Sequence, residues 1–274
     1  MSKTWFITGS SRGFGREFAK AALDRGDNVA AAARNIDTLA DLVTAYGERV
    51  LPLTLDVTDK PAATRAVQQT HEHFGKLDVV VNNAGYGLFG AIEEISEQQA
   101  RDQLETNLFG ALWVTQAALP LLREQGSGHI VQISSVGGVT AFPNLGIYNA
   151  SKWALEGFSD ALAQEVADFG IKVTIIEPGG FATDWAGASG VVADQLPAYD
   201  GLRAAVAAVM SGMEAGDPSA AGTALLKIVD AENPPLRAFF GTQPLPMTSH
   251  IYTERLKTWE EWSDLAAQAQ GTAG

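Results

Sequence analysis

Short apolar runs alternate with longer amphipathic stretches along this chain. Strand-like runs fall at 4–8, 28–33, 50–55, 78–82, 129–134, 172–177 and 236–240. Helical patterns lie between and after them, near 14–25, 36–46, 61–74, 97–124, 149–169, 217–231 and 250–268. Strand–helix alternation implies right-handed crossovers, and so a parallel sheet covered on both faces. The expected fold class is α/β: a doubly wound, mainly parallel seven-stranded sheet with helices on both faces, in a single domain spanning 1–274. In such a sheet ligands bind outside the carboxyl ends of the strands, near the point where strand order reverses.

Two stretches break the alternation. Segment 184–216 is rich in Ala, Gly and Val, with Pro197 and Gly201 as breakers. It follows a strand's carboxyl end and reads as a substrate lid, with ordinary packing as the alternative. Its Trp185, Val191, Val192, Leu196, Tyr199, Val209 and Met210 suggest an apolar pocket. Residues 232–274 form a C-terminal extension that carries Pro234, Pro235, Pro244 and Pro246 before its helix, and read as structural or as a subunit contact.

Composition narrows the function. Hydrophobic residues make up 46% and charged residues 19%, ordinary values for a soluble protein. A net charge of −13 argues against nucleic acid or an anionic membrane as partners. Any phosphate bound here must be held by a local device. The chain has no cysteine, which excludes disulfides, thiolate metal sites and cysteine nucleophiles, and fits a cytoplasmic protein. Its four histidines show no metal-ligand spacing, so no metal is expected. The first residues run into a strand pattern without a leader, and no stretch reaches the length of a membrane span.

Local devices are present. Thr8-Gly9-Ser10-Ser11-Arg12-Gly13-Phe14-Gly15 follows the first strand and opens the first helix. Glycines there let the backbone turn sharply and approach a pyrophosphate at the helix N-terminus, although a Gly-rich loop can also be a plain turn. NAD sites place an acid at the end of the second strand; here that acid is missing, and Arg34 stands just past its place with Arg12 in the nearby loop. Two guanidiniums suit the 2′-phosphate of NADP(H), which is therefore favoured over NAD(H), unless both arginines are merely solvated. Asp56, before Val57, ends the third strand, where a carboxylate can accept from adenine or serve a turn or helix cap. Asn82-Asn83-Ala84-Gly85 ends the fourth, small enough for close approach of a ribose, and is also an ordinary turn composition. Tyr148 and Lys152 stand one helical turn apart, so that a cation could favour the phenolate and make Tyr148 a proton donor or acceptor.

Taken in order and spacing, the loop 8–15, Asp56, Asn82–Gly85, Asn107, Ile133-Ser134-Ser135, Tyr148–Lys152, Pro178-Gly179 and Thr183 resemble the short-chain dehydrogenase/reductase family of the non-extended type. Within it the chain is most similar to NADP-preferring members related to 17β-hydroxysteroid and retinol dehydrogenases. The resemblance implies a Rossmann-type fold and a tetrad of Asn107, Ser135, Tyr148 and Lys152. Tyr148 would be general acid in carbonyl reduction and base in alcohol oxidation. Lys152 would lower its pKa and bind the nicotinamide ribose. Ser135 would orient the carbonyl, and Asn107, interrupting the helix 97–124, would hold a water linking Lys152 to solvent. The implied cofactor contacts are Gly9, Ser11, Arg12, Gly13, Phe14, Gly15, Arg34, Asp56, Val57, Asn83, Ala84, Gly85, Tyr148, Lys152, Pro178, Gly179, Phe181 and Thr183. The expected activity is hydride transfer between NADP(H) and an apolar ketone or secondary alcohol. An NAD-dependent alcohol dehydrogenase and a non-catalytic nucleotide sensor are the alternatives. Family resemblance further suggests a homodimer or homotetramer through the helices 97–124 and 149–169.

Overall fold

A computed structural model describes residues 2–187, 189–212 and 214–271. Seven strands, β1 (Thr4–Thr8), β2 (Asn28–Ala33), β3 (Val50–Thr54), β4 (Val79–Asn82), β6 (Gly128–Ile133), β7 (Ile171–Pro178) and β9 (Arg237–Phe240), pair in the order β3-β2-β1-β4-β6-β7-β9. Every pairing is parallel. Strand order reverses between β1 and β4, as in a Rossmann-type sheet. These are the seven runs expected, with ends displaced by one residue at most. The short β5 (Leu88–Phe89) and β8 (Val191–Val192) make a separate parallel pair that periodicity did not suggest.

Alternation along each strand divides the core. Trp5 and Ile7 of β1 pack with Phe18 and Leu23 of α1 (Gly13–Asp24), Leu42 of α2 (Ala40–Tyr46), and Leu225 and Val229 of α8 (Pro218–Asp230). Phe6, between them, faces the other side. There it joins Ala63 and Val67 of α3 (Lys60–Phe74), Val114 and Leu122 of α5 (Gly110–Gln125), and Leu162 and Val166 of α6 (Gly146–Val166). Each fully buried aliphatic side chain contributes roughly 1.5–3 kcal/mol relative to exposure, so a strand apolar on both faces is specified strongly.

Four expectations change in detail. The stretch 36–46 begins as a 3₁₀ turn, Ile36–Leu39, because Asn35 accepts from the Asp37 N–H and tightens the entry. The helix expected over 97–124 is α4 (Glu97–Leu104) and α5 separated by one wide π turn, Glu105–Phe109. The last helix starts at Pro244, where a proline suits the first turn, and breaks at Trp262 into α9 (Pro244–Glu261) and α10 (Ser263–Gln270). Within 184–216, α7 (Asp200–Ser211) is helical through Gly201, which lies in its first turn ahead of an Ala-rich run. Ala188 and Met213 of that segment, and 272–274 of the C-terminal stretch, lie outside the described residues. Among the described residues no helix is long and apolar enough to cross a membrane.

One buried side chain makes the sheet sensitive to acid. His129 on β6 is 4% exposed, its Nε2 lies 2.9 Å from Thr174 Oγ1, and that hydroxyl donates to the Pro235 carbonyl at 2.9 Å. Thr174 must therefore accept from Nε2–H, leaving Nδ1 without a partner among the described residues. Burial first, then the nearby positive charges of Lys172 and Lys3, push His129 down to about 4. A native pKa below the unfolded one means that the unfolded chain binds the proton first. Stability is then complete above about pH 6.5 and is lost as pH falls toward about 4. Urea unfolding at about pH 7.5 and about pH 4.5 should show roughly 2–3 kcal/mol more loss in the native chain than in His129→Gln. Parallel losses in the two proteins would rule the histidine out as the cause.

Candidate active site

α6 enters against the carboxyl ends of β4, β6 and β7, and its first turns carry Tyr148 and Lys152 on the buried face, each 6% exposed. Lys152 Nζ donates to the carbonyl of Ile133, the last residue of β6, at 2.7 Å. Two residues on, Ser135 accepts from Gly137 N at 2.9 Å and lies beside the phenol. A Cβ on Gly137 would stand 3.3 Å from both Ser135 Oγ and Tyr148 Cε1, so a glycine lets these groups close up.

Asn107 sits in the π turn, 2% exposed. Its Oδ1 accepts from Tyr86 N at 3.1 Å, and its Nδ2 donates to Tyr86 O at 3.0 Å and Ser151 Oγ at 3.1 Å. Ser151 in turn donates to the Tyr148 carbonyl at 2.7 Å. The side chain thus locks the loop after β4 to α6. A Cβ on Gly85 would lie 3.0 Å from Asn107 Oδ1 and 3.7 Å from Lys152 Nζ. The four candidate catalytic residues therefore meet in one buried cluster.

The electrostatics differ from the sequence expectation. Lys152 was to lower the phenol; in the chain alone, burial pushes Tyr148 up to about 12, with the Ser135 hydrogen bond opposing it. Burial also pulls Lys152 down to about 8, with Glu156 opposing it. Both groups resist ionisation because neither charged form has solvent to support it.

The Gly-rich loop and the end of β4 are wired as one unit. Thr8 Oγ1 accepts from Asn83 N at 2.9 Å and Ala84 N at 3.0 Å, and Asn83 Nδ2 donates to Thr8 O at 2.9 Å and Gly9 O at 3.1 Å. Gly9 and Gly13 have φ of +66° and +56°. α1 starts at Arg12 without a side-chain cap and with no acid in its first turn, so its leading N–H groups point outward unpaired by side chains. Ser11 is half-buried beside them. Gly13 faces Thr183 across the site, a Cβ there lying 3.9 Å from Thr183 Cβ. An uncapped helix N-terminus beside a glycine cradle fits a dinucleotide pyrophosphate.

Other expected contacts have structural duties. Phe14 packs on Phe18 at 5.7 Å and on Phe181 at 4.9 Å between ring centroids, so those side chains fill the core and leave only backbone for a cofactor. Val57 is buried against Gly110. Asp56 Oδ1 accepts from Thr58 N and Oγ1 at 3.0 and 2.8 Å, the turn role rather than a helix cap, which falls to Asp59. Pro178 is buried at the end of β7, and Gly179 sits against Pro244. Arg34 is exposed just past β2. Arg12, expected beside it, instead pairs with Asp184 at 3.2 Å.

Trp185 covers Tyr148 with ring centroids 4.9 Å apart and touches Phe89 at 5.1 Å. Of the other residues suggested for an apolar pocket, Val191, Val192, Leu196, Val209 and Met210 are exposed and Tyr199 is half-buried, so of that set Trp185 is the one that packs on Tyr148. The stretch 184–216 is tied down by β5–β8, by Tyr199 Oη donating to Glu93 at 2.6 Å, and by Leu196 N and Arg203 donating to Glu94 at 2.7 and 2.5 Å. Sequence reasoning missed Tyr86, Ser151, Glu94 and Glu156; only Glu156, one turn beyond Lys152, carried a readable signal.

Residues 3–190 match the family model described as short chain dehydrogenase. Oxidoreductase BOA17 of Botryotinia fuckeliana is 45% identical over 270 residues, covering 97% of this chain and 98% of that protein. A short-chain dehydrogenase structure from Streptomyces avermitilis superposes with a TM-score of 0.92 at 38% identity, covering 100% of this chain and 99% of that one. An alcohol dehydrogenase from Thermococcus sibiricus, complexed with 5-hydroxy-NADP, superposes with a TM-score of 0.71 at 27% identity, covering 88% and 96%.

The cradle makes a steric prediction. A Cβ on Gly15 would collide with Asn83 Nδ2 and the Gly9 backbone. Gly15→Ala should cost about 1–3 kcal/mol in urea unfolding and weaken dinucleotide binding by calorimetry. Wild-type stability and affinity together would contradict the packing described.

Proposed function

The chain belongs to the short-chain dehydrogenase family, and from that premise we propose that it interconverts an apolar ketone and its secondary alcohol with NADP(H), Tyr148 serving as acid and base. The observation that carries this reading is the meeting of buried Tyr148 and Lys152 with half-buried Ser135 at the strand ends that also carry an uncapped helix N-terminus. Gly9, Gly13 and the leading amides of α1 would hold the pyrophosphate, and Lys152 the nicotinamide ribose. When bound, the nicotinamide supplies or takes up the hydride.

In reduction, Ser135 and the Tyr148 hydroxyl donate to the carbonyl oxygen and stabilise the negative charge that develops there. Tyr148 then delivers its proton to that oxygen, and the Lys152 ammonium offsets the phenolate left behind. In oxidation the phenolate takes the alcohol's proton. The apolar surround of Phe89 and Trp185 excludes water and favours an apolar substrate. Segment 184–216 acts as the lid.

The choice of NADP(H) rests on Arg34, exposed just past the end of β2, where an acid would be needed for NAD. The net charge of −13 makes such a local cation necessary. The 5-hydroxy-NADP in the Thermococcus sibiricus enzyme is consistent with it.

Two measurements test the reading. With NADPH and a panel of apolar ketones, Tyr148→Phe should lower kcat by about 10²–10⁴-fold while leaving NADPH affinity near wild type; cofactor binding without turnover by the wild-type protein would sink the enzyme assignment. Arg34→Ala should weaken NADPH binding by about 1–3 kcal/mol and spare NADH. Equal losses for both cofactors would refute the 2′-phosphate role.

A further inference from the structure

Behind the acid/base pair lies a second group of charges, buried at Glu156 and Glu177, that the reaction does not account for. Tyr148, Lys152, Glu156 and Asp160 follow one another at four-residue intervals along a single face of α6. Glu156 is 5% exposed and Glu177, on β7, is 2% exposed. Arg237 of β9 reaches all three carboxyl groups: Nε lies 3.1 Å from Glu156 Oε2 and 3.6 Å from Glu177 Oε1, and Nη2 lies 2.8 Å from Asp160 Oδ2. Gly138 lets these groups approach, since a Cβ there would stand 3.1 Å from Glu156 Cγ and 3.2 Å from the Lys152 carbonyl.

A buried ammonium needs an anion. The only hydrogen bond that Lys152 Nζ makes among the described residues goes to a neutral carbonyl. The Tyr148 ring on its own helix, centred 5.9 Å from Nζ, stays neutral, and Asn107, which with Nζ borders Gly85, is uncharged. One turn on and buried on the same helix face, Glu156 is the carboxylate that opposes the fall in Lys152.

We propose that Glu156 is a positioning residue for the acid/base pair, the anion that keeps the Lys152 ammonium charged, with Arg237 and Glu177 behind it fixing its carboxylate and its share of negative charge. Its catalytic meaning rests on the Tyr148-centred reading above. Two cations, Lys152 and Arg237, face three carboxyl groups; the cluster is neutral when one of the three holds a proton. Glu177 is that one. Burial, then the charge of Glu156, push it up to about 8; burial raises Glu156 too, but Arg237 Nε lies 3.1 Å from Glu156 and 3.6 Å from Glu177 and so favours the negative charge on Glu156. Arg237 takes one Glu156 oxygen, Oε2, at 3.1 Å; the other, Oε1, has no hydrogen-bond partner among the described residues and belongs to a side chain one turn from Lys152.

The test reads Lys152 directly, in the chain without cofactor. Lysine side chains are labelled with ¹³C, the Lys152 signal is assigned by its loss in Lys152→Arg, and its titration is followed by NMR. Glu156→Gln should lower the Lys152 midpoint by about one pH unit, with thermal unfolding still cooperative. Because Glu177 can release its proton and replace the missing charge, the double variant Glu156→Gln, Glu177→Gln closes that route and should shift the midpoint further. Glu177→Gln alone should leave it near wild type. An unchanged midpoint in both folded Glu156→Gln and the double variant overturns the proposal. Should Glu156→Gln fail to fold, Glu156→Asp decides: a downward shift supports the role, and no shift overturns it. The titration needs no substrate, so absence of ketone turnover would count against the reductase reading and leave this result standing.

Discussion

The 2.7 Å hydrogen bond from the Lys152 ammonium to the Ile133 carbonyl joins α6 to the last residue of β6 where both are buried. It fixes the helix against the carboxyl edge of the sheet at the one height where Tyr148, a turn earlier, stands beside Ser135, two residues past the strand. A lysine there costs stability, because burial pulls it down to about 8 and the charged form has no water to turn to. The surrounding glycines follow from the same constraint. Gly85 and Gly137 sit where any Cβ would press on Asn107, Ser135 or Tyr148, so at these two positions only backbone can close on the ammonium and the phenol.

Enclosure also explains why the strand ends are so heavily cross-tied. Between β1 and β4 the sheet reverses its order and leaves a crevice that packing alone would not hold open. Thr8 and Asn83 bridge it with four hydrogen bonds of 2.9–3.1 Å. The wide π turn at Glu105–Phe109 does comparable work on the other side: it turns Asn107 inward, where an uninterrupted α-helix would carry the register past. Both devices spend side-chain polar groups on backbone geometry, and that leaves the amides at the start of α1 free.

How much of this was legible depended on sequence distance. The seven strands of the sheet showed in the pattern because of their short apolar runs, whereas Asn107 came only from the family pattern, since the helix leading into it is largely polar. Tyr148 and Lys152 showed by their spacing. The direction of the phenol's shift did not, since depth of burial comes from elements far apart in the chain. Nor did the pairing of Leu88–Phe89 with Val191–Val192, two-residue strands about 100 positions apart that carry no periodicity of their own. Arg12 was legible as a cation in the Gly-rich loop, but its partner Asp184 lies 172 residues on, in the segment after β7. Glu156 was within reach of the helical spacing argument and was passed over because charged residues on helices are ordinarily solvated.

The loop after β4 connects these levels. At its start, Tyr86 is held on both backbone atoms by Asn107, so it is fixed by the acid/base cluster. A few residues on, β5 pairs with β8, and Gly90 N donates to Asn144 O just before α6 begins. At its end, Glu94 accepts from Ala91 N, Leu196 N and Arg203, gathering the start of α7 onto a carboxylate whose side chain is wholly buried. The same twelve or so residues thus take their position from the Asn107 cluster and impart it to the segment that carries Trp185 onto Tyr148. A displacement of that segment as a whole must break the Glu94 hydrogen bonds or pull on Tyr86, whereas a rearrangement confined to Asp184–Ala186 need only part the exposed Arg12–Asp184 pair and the ring contacts. Exposed pairs contribute little, about 0–1 kcal/mol, and buried carboxylate bonds several times that. The easy motion is therefore local, over the phenol, and the frame on either side of it stays with the sheet.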